Sequence, residues 1–410
     1  MAARRDLADR TFWLAKEEEI KNAETTDIYF INAVKALQAK GLNPKVVMEV
    51  YSRSLPYTEQ WAVVGGIYEA AKLLEGLPID VYAMEEAEIF LSDPSTTLYE
   101  PILRIEGRYT DFAPYENPLL GLICTNTSIL TKAARIKQAA GEKMVLSFGT
   151  RRTHPALAPT VERASYIAGL DGLSNVLGSK LLGVKPAGTM PHAMILCFGN
   201  QKDAWLAFDE TAPKDTPRIA LIDTLWDEKA EAILALETLK DKLWGVRLDT
   251  PTSRRGNIRK IVEEVRWELN LRGGKNIKII VSGGLDEDNI RTLKDIVDGF
   301  GVGTAITAAP IIDFNAKIVE VEEEGILKPR AKRGDLSGAK DVYRFEGTFR
   351  DRVVPRGQTI TGPWRPMLTP LIKKGEVVRE FKSPSELRAA LKMKMSRLTE
   401  AEVSLSTHPF

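Results

Sequence analysis

Two patterns of hydrophobic and polar positions share this chain. From residue 143 to 310, short apolar runs alternate with longer amphipathic stretches. The short runs end near Phe148, Ser174, Gly188, Asp223, Asp249, Ser282 and Gly301. Between them, Pro155–Gly169, His192–Phe208, Trp226–Lys240 and Asn257–Leu271 carry apolar residues at helical spacing. About seven strand-then-helix units in series predict a parallel α/β barrel, irregular or open in places.

The ends of the chain read differently. A helix is expected over 27–40, a strand over Val46–Tyr51, and a helix over Trp61–Leu74. Strands near Ile79–Tyr82 and Ile102–Tyr109 precede a long helix, Asn117–Ala140. Residues 313–380 return to strand-like alternation in Lys317–Val321, Val342–Phe345 and Val377–Glu380, and Ser383–Leu398 reads as a closing helix. The simplest topology is α/β throughout. Segments 1–140 and 313–410 together build a flanking α/β sandwich domain, and 141–312 forms the barrel.

Composition narrows the classes of function. Hydrophobic content is 44% and charged content 28%, with a net charge of +1, so no strong field favours nucleic acid or a membrane surface. Apolar runs are too short and too interrupted by charge to span a bilayer. The first twenty residues lack an apolar signal core, which predicts a cytoplasmic protein. Cys124 and Cys197 are the only cysteines; they are expected as buried free thiols in a reducing compartment. No Cys/His cluster offers a structural zinc site.

Residues Ile277–Ile306 carry the strongest chemical signal. The run Ile279-Ile280-Val281 ends in Ser282-Gly283-Gly284, and Asp286 is placed to cap the helix that follows. The next strand ends in Gly299-Phe300-Gly301-Val302-Gly303-Thr304. Two successive glycine turns at barrel strand ends suit a phosphate cradle built from backbone N–H groups. The plain alternative is that the glycines only make tight turns.

Other strand ends add to it. Phe148-Gly149-Thr150 leads into Arg151 and Arg152, a fork for an anion or simply a solvated basic loop. Ser174 and Asn175 could donate to an anion or cap the next helix. Gly188-Thr189-Met190-Pro191 leads to His192, one of three histidines, at a helix start where neutral, nucleophilic imidazole is expected. His154 could support it, and His408 lies in the tail. Arg247 and Asp249 share one face of a strand, suited to a phosphate beside a sugar diol or to a buried ion pair. Thr252, Ser253, Arg254 and Arg255 follow. Five arginines at one barrel mouth imply a substrate carrying several phosphates.

In order and spacing these motifs resemble the nicotinate phosphoribosyltransferase family. The resemblance runs from Thr26-Asp27-Ile28-Tyr29 through Leu103–Gly107, Phe148–Arg152, Leu173–Val176, Gly188–His192, Arg247–Asp249, Ser282–Gly284 and Gly299–Thr304, to about Arg344. It implies a type II phosphoribosyltransferase barrel. It implies transfer of phosphoribosyl from phosphoribosyl pyrophosphate to nicotinate, coupled to ATP hydrolysis, with Mg2+ accompanying both phosphate compounds. His192 matches the histidine that ATP phosphorylates, and Arg247 and Asp249 match residues at the 5-phosphate and ribose hydroxyls. Phe148, Gly149, Thr150, Arg151, Ser174, Asn175 and Thr189 match the substrate-binding set. Ser282, Gly283, Gly284, Gly301, Gly303 and Thr304 match the phosphate loops. Tyr29 matches an aromatic that stacks on the base from the partner subunit, which implies at least a homodimer.

The departures from that family are specific. Asp249-Thr250-Pro251-Thr252 stands where Asp-Ser-Gly-Asp is common, and Pro191 stands before His192 where alanine is commoner. The pattern looks like a shorter, archaeal-type branch. Quinolinate phosphoribosyltransferase, nicotinamide as substrate, and an inactive nucleotide-binding regulator are the alternative readings.

Overall fold

The computed structural model describes residues 10–251, 253–254, 256–398 and 402–407. The chain forms two compact units. One comprises residues up to Ser128, then Ile311–Ser383 and the segment after Met393; the other comprises Ile129–Pro310 and Pro384–Lys392. The long helix, Glu116–Ala140, contributes to both, so the division falls inside a helix and not in a linker.

Both chain ends enter the first unit's seven-stranded sheet, whose order is Ile326–Pro329, Asn315–Glu323, Lys45–Tyr51, Pro101–Arg108, Asp80–Ala83, Thr369–Lys373 and Glu376–Val377. Lys45–Tyr51 is central, antiparallel to Asn315–Glu323 on one side and Pro101–Arg108 on the other. Both of its faces are covered. Val46, Met48 and Val50 join the main core, while Val47 packs with Val319 and Ala339. That explains a strand with apolar residues in succession where alternation would mark a half-exposed one. A four-stranded sheet of Lys340–Phe345, Phe349–Pro355, Trp364–Pro366 and Val403–Thr407 belongs to the same unit.

The segment Trp61–Leu74 is not one helix. Trp61–Val63 is a strand paired with Ile89–Leu91, and the helix starts at Ile67. Two glycines make the difference. Gly66 takes φ +82°, and a Cβ on Gly65 would lie 2.8 Å from the backbone of Asn126. Here the chain turns hard against the long helix, with the Gly65 N–H donating to Thr127 Oγ1 at 3.0 Å.

The second unit is an open parallel sheet. Its strands are β1 Met144–Ser147, β2 Gly172–Leu173, β3 Arg218–Leu221, β4 Leu243–Leu248, β5 Lys278–Ser282 and β6 Gly299–Val302. They lie in the order β2-β1-β6-β5-β4-β3. Six expected strands form. The one expected at Gly188 does not: Pro186 and Pro191 have no N–H to give a ladder, and 184–191 forms no regular element, with the Ala187 N–H bonded to Leu173 O at 2.8 Å. The barrel is therefore open between β2 and β3.

The helix expected over His192–Phe208 also divides. Gly199 at φ +75° ends His192–Phe198, and Asn200 caps Gln201–Thr211 by accepting from the Asp203 N–H at 2.8 Å. Cys197 is exposed and Cys124 half-buried, so neither is the buried thiol that apolar neighbours in sequence suggested. Among the described residues no helix is long and apolar enough to cross a membrane.

Candidate active site

A cleft of about 860 Å3 opens in the second unit where its strands end. Phe148, Thr150, Arg151 and Arg152 line it after β1, Ser174 after β2, Arg247 and Asp249 on and after β4. Ser282, Gly283 and Gly284 follow from β5, and Gly301, Gly303 and Thr304 from β6. Segment 186–193 supplies Thr189 and His192. Parallel strands bring all these residues together because each strand delivers its C-terminal end to the same side.

Three of the residues matched to the family's site stand elsewhere. Tyr29 lies on the Ile28–Ala39 helix of the first unit, 57% exposed. Asn175 is not in the lining. Its Oδ1 accepts from the Gly178 N–H at 2.9 Å and caps the Val176–Leu181 helix, so the capping reading wins at this position. Gly149 is also outside it; a Cβ there would meet Gly303 O at 2.8 Å, so the residue serves close packing of two strand-end loops. Arg254 does not line the cleft, and Thr252, Arg255 and His408 lie outside the described residues.

The two glycine turns differ in kind. Gly283 and Gly284 both hold positive φ, +91° and +66°, which L side chains rarely adopt. Gly301 does not. A Cβ on it would fall 2.4 Å from the Phe148 ring, so this glycine seats an aromatic side chain at the cleft wall. The helix after the first turn begins with Asp286, Glu287 and Asp288, which already answer its positive end. Anion affinity at the first turn therefore has to come from the loop backbone and not from that helix.

Arg247 is the buried cation of the site. Its side chain is 11% exposed and lies 3.7 Å from Asp249 Oδ2. Among the described residues its Nε is buried without a hydrogen-bond partner, as is Oγ1 of Thr189. Burial lowers the basicity of Arg247, against the charges of Asp249 and Asp223. Asp249 Oδ1 accepts from Ser282 Oγ at 2.8 Å, which links the ends of β4 and β5.

His192 is paired with Asp223, at 3.0 Å between Nε2 and Oδ1. Asp223 is nearly buried, and its Oδ2 accepts from the Asp249 N–H at 2.5 Å. The Asp223 hydrogen bond raises the basicity of His192; burial opposes this, the Asp223 and Asp249 charges add to it, and Arg247 opposes it. This corrects the expectation that a helix start would lower it: a buried carboxylate at hydrogen-bond distance outweighs a seven-residue helix. Sequence reasoning did not assign Asp223 to the site. Its one signal was its position just past a barrel strand. His154 takes no part, since its Nδ1 accepts the Ala156 N–H at 3.2 Å in an exposed turn.

Comparison with known proteins agrees with this architecture. Family models for the N-terminal and C-terminal domains of quinolinate phosphoribosyl transferase match residues 27–127 and 129–317. A curated nicotinate phosphoribosyltransferase of Mycobacterium tuberculosis is 29% identical over 399 residues, covering 87% of this chain and 86% of that protein. The crystal structure of nicotinate-nucleotide pyrophosphorylase from Pyrococcus furiosus superposes with a TM-score of 0.91 at 48% identity, covering 96% of this chain and 100% of that one. Human nicotinic acid phosphoribosyltransferase shares the fold, with a TM-score of 0.75 at 20% identity, covering 93% of this chain and 97% of that one.

Proposed function

Since both domains of the quinolinate phosphoribosyl transferase family match this chain and curated nicotinate phosphoribosyltransferases resemble it over most of its length, we propose that it transfers the phosphoribosyl group of phosphoribosyl pyrophosphate to nicotinate. The products are nicotinate mononucleotide and pyrophosphate. The observation that carries this reading is the Arg247 guanidinium, nearly buried at the wall of an open cleft with its Nε unpartnered among the described residues. Such a group is tolerated where an anion completes it.

The reaction suits these residues. Breaking the bond from ribose C1 to pyrophosphate leaves an oxocarbenium-like centre, and the pyridine nitrogen attacks its opposite face. That nitrogen carries no proton, so no general base is needed. The protein's work is to hold both partners in line and to meet departing negative charge with cations. Arg247 and the Ser282–Gly284 turn would receive phosphate, Asp249 the ribose hydroxyls, and Phe148 with Arg151 and Ser174 the base. Tyr29 of a second copy would close over the ring. Mg2+ would enter with the diphosphate, held mainly by its oxygens.

His192 fits the role of phosphoryl acceptor from ATP. With Nε2–H donated to Asp223, Nδ1 keeps the lone pair. Nδ1 would attack the γ-phosphorus, and the bond to the β–γ bridging oxygen would break to release ADP.

The Pyrococcus protein is named for nicotinate nucleotide, a product that transfer to quinolinate also gives, so the base is the point to test. Single turnovers with phosphoribosyl pyrophosphate and labelled nicotinate, nicotinamide or quinolinate should yield nucleotide from nicotinate. Carbon dioxide release from quinolinate at an equal or higher rate would replace this reading with the decarboxylating one.

A further inference from the structure

The Asp223–His192 pair is held by a second layer of acidic residues on one helix, Glu228–Leu239. Glu231, fully buried, accepts the backbone N–H groups of Leu225 and Trp226 at 2.8 Å and of Thr224 at 3.3 Å, and so fixes the turn that follows Asp223. One turn earlier, Glu228 Oε1 lies 2.5 Å from the hydroxyl of Thr250. The same hydroxyl lies 3.3 Å from Asp223 Oδ2. A threonine hydroxyl has one hydrogen and here faces two carboxyl groups. The shorter contact identifies its acceptor as Glu228.

We propose that Glu228 and Thr250 are positioning residues for His192: Glu228 draws the Thr250 hydroxyl hydrogen away from Asp223, which leaves the Asp223 carboxylate directed at the imidazole. With the hydrogen directed to Glu228, Asp223 Oδ2 keeps the Asp249 N–H as its close donor among the described residues. Its charge then stays available to His192 Nε2–H through Oδ1. Were the hydroxyl turned toward Asp223, part of that charge would be taken up by a second donor, and its hold on the imidazole would weaken. The charged groups facing His192 are Asp223 beyond β3 and Asp249 and Arg247 from β4. Glu228 reaches it only through Thr250 and Asp223.

The inference rests on His192 as the phosphoryl acceptor for its functional meaning, but its first test does not. With three histidines in the chain, each ring can be followed by NMR after histidine labelling. In Glu228→Gln the amide donates to Thr250 and the hydroxyl hydrogen turns to Asp223. The His192 titration should then move to lower pH. In a Thr250→Val background the same substitution should move it far less, and Thr250→Ser, which keeps the hydroxyl, should behave as the parent. Thr250→Ala gives the same comparison if the valine variant folds poorly. An unmoved titration in Glu228→Gln would overturn the proposal. So would an equal move with and without the hydroxyl, because that is a plain effect of charge.

The second test uses ATP. The ratio of His192 phosphorylation rates at pH 6 and pH 8 should rise about threefold in Glu228→Gln as more neutral imidazole becomes available in acid. An unchanged ratio would contradict the positioning role. If the parent protein acquires no phosphoryl group at all, the acceptor reading fails and the NMR result decides the positioning role alone.

Discussion

Arg247→Met removes the buried charge and keeps the side-chain length, and it separates stability from binding. In the free protein the guanidinium has Asp249 at 3.7 Å and also feels the charge of Asp223. At an effective dielectric of about 20, a pair at that separation attracts by about 4 kcal/mol. Holding the cation out of water costs several kcal/mol in the opposite direction. The two nearly cancel, and the Asp249 carboxylate left behind is 22% exposed and keeps the hydrogen bond from Ser282, so the methionine variant should unfold within about 1 kcal/mol of the parent in urea. Binding is not balanced in this way. Two charge-assisted hydrogen bonds to a phosphate contribute roughly 1.5–3 kcal/mol each. Their loss should weaken phosphoribosyl pyrophosphate at least about a hundredfold by titration calorimetry. A variant that lost 3 kcal/mol of stability or more (about) and bound the substrate as before would refute the assignment of Arg247 as an anion receptor.

Three further outcomes follow from the same geometry. Ser174→Asp, which places a carboxylate in the lining, should raise the KM for nicotinate at least about tenfold, whereas Asn175→Asp, a helix cap outside the lining, should change it less than about twofold. Gly301→Ala should displace the Phe148 ring and lower base binding and stability together, whereas Gly283→Ala, strained at φ +91° and 3.2 Å from Asp249 Oδ1, should cost about 1 kcal/mol of stability and chiefly impair phosphate binding. Steady-state kinetics beside urea unfolding would separate the two glycines, and equal losses in both properties at Gly283 would return it to a plain turn. Glu116 is pushed by burial from the ordinary 4.5 up to about 7, with Lys317 acting against the shift. Because its folded-state value is raised, its contribution to stability is complete below pH 4.5 and lost as pH rises through 7. Glu116→Gln should therefore gain roughly 1–3 kcal/mol over the parent at pH 8 and little at pH 5, and an equal difference at both would contradict the shift.

How much of this was legible in the sequence depended on the range of the interaction. Strand-end residues such as Arg247, Asp249 and Ser282 were readable because period-two alternation and glycine turns are local signals. Phe148 and Gly301 could each be named, but not that one seats the other, since β1 and β6 become neighbours only in the sheet. Asp223 lies 31 residues from His192, and no spacing rule links them. At Asn175 the sequence offered a cap and a ligand on equal terms, and a local N–H three residues on decided it. The break at Gly199 was masked by apolar residues that continue the helical period across it. In the C-terminal segment, Phe349–Pro355 went unread because its alternate residues are charged. In the folded sheet Arg350 and Arg352 lie over the rings of Phe345 and Trp364 at 4.4 and 4.5 Å, so positions that look solvated are part of a packed face.

Phosphorus NMR of a single reaction mixture tests the central claim most directly. Protein, phosphoribosyl pyrophosphate and Mg2+ are followed before and after addition of nicotinate. The account predicts that the diphosphate signals persist until the base is added, and then give way to inorganic pyrophosphate and one nucleotide monoester in equal amounts. Diphosphate signals that stay unchanged with nicotinate, or pyrophosphate that appears without it, would contradict phosphoribosyl transfer to this base.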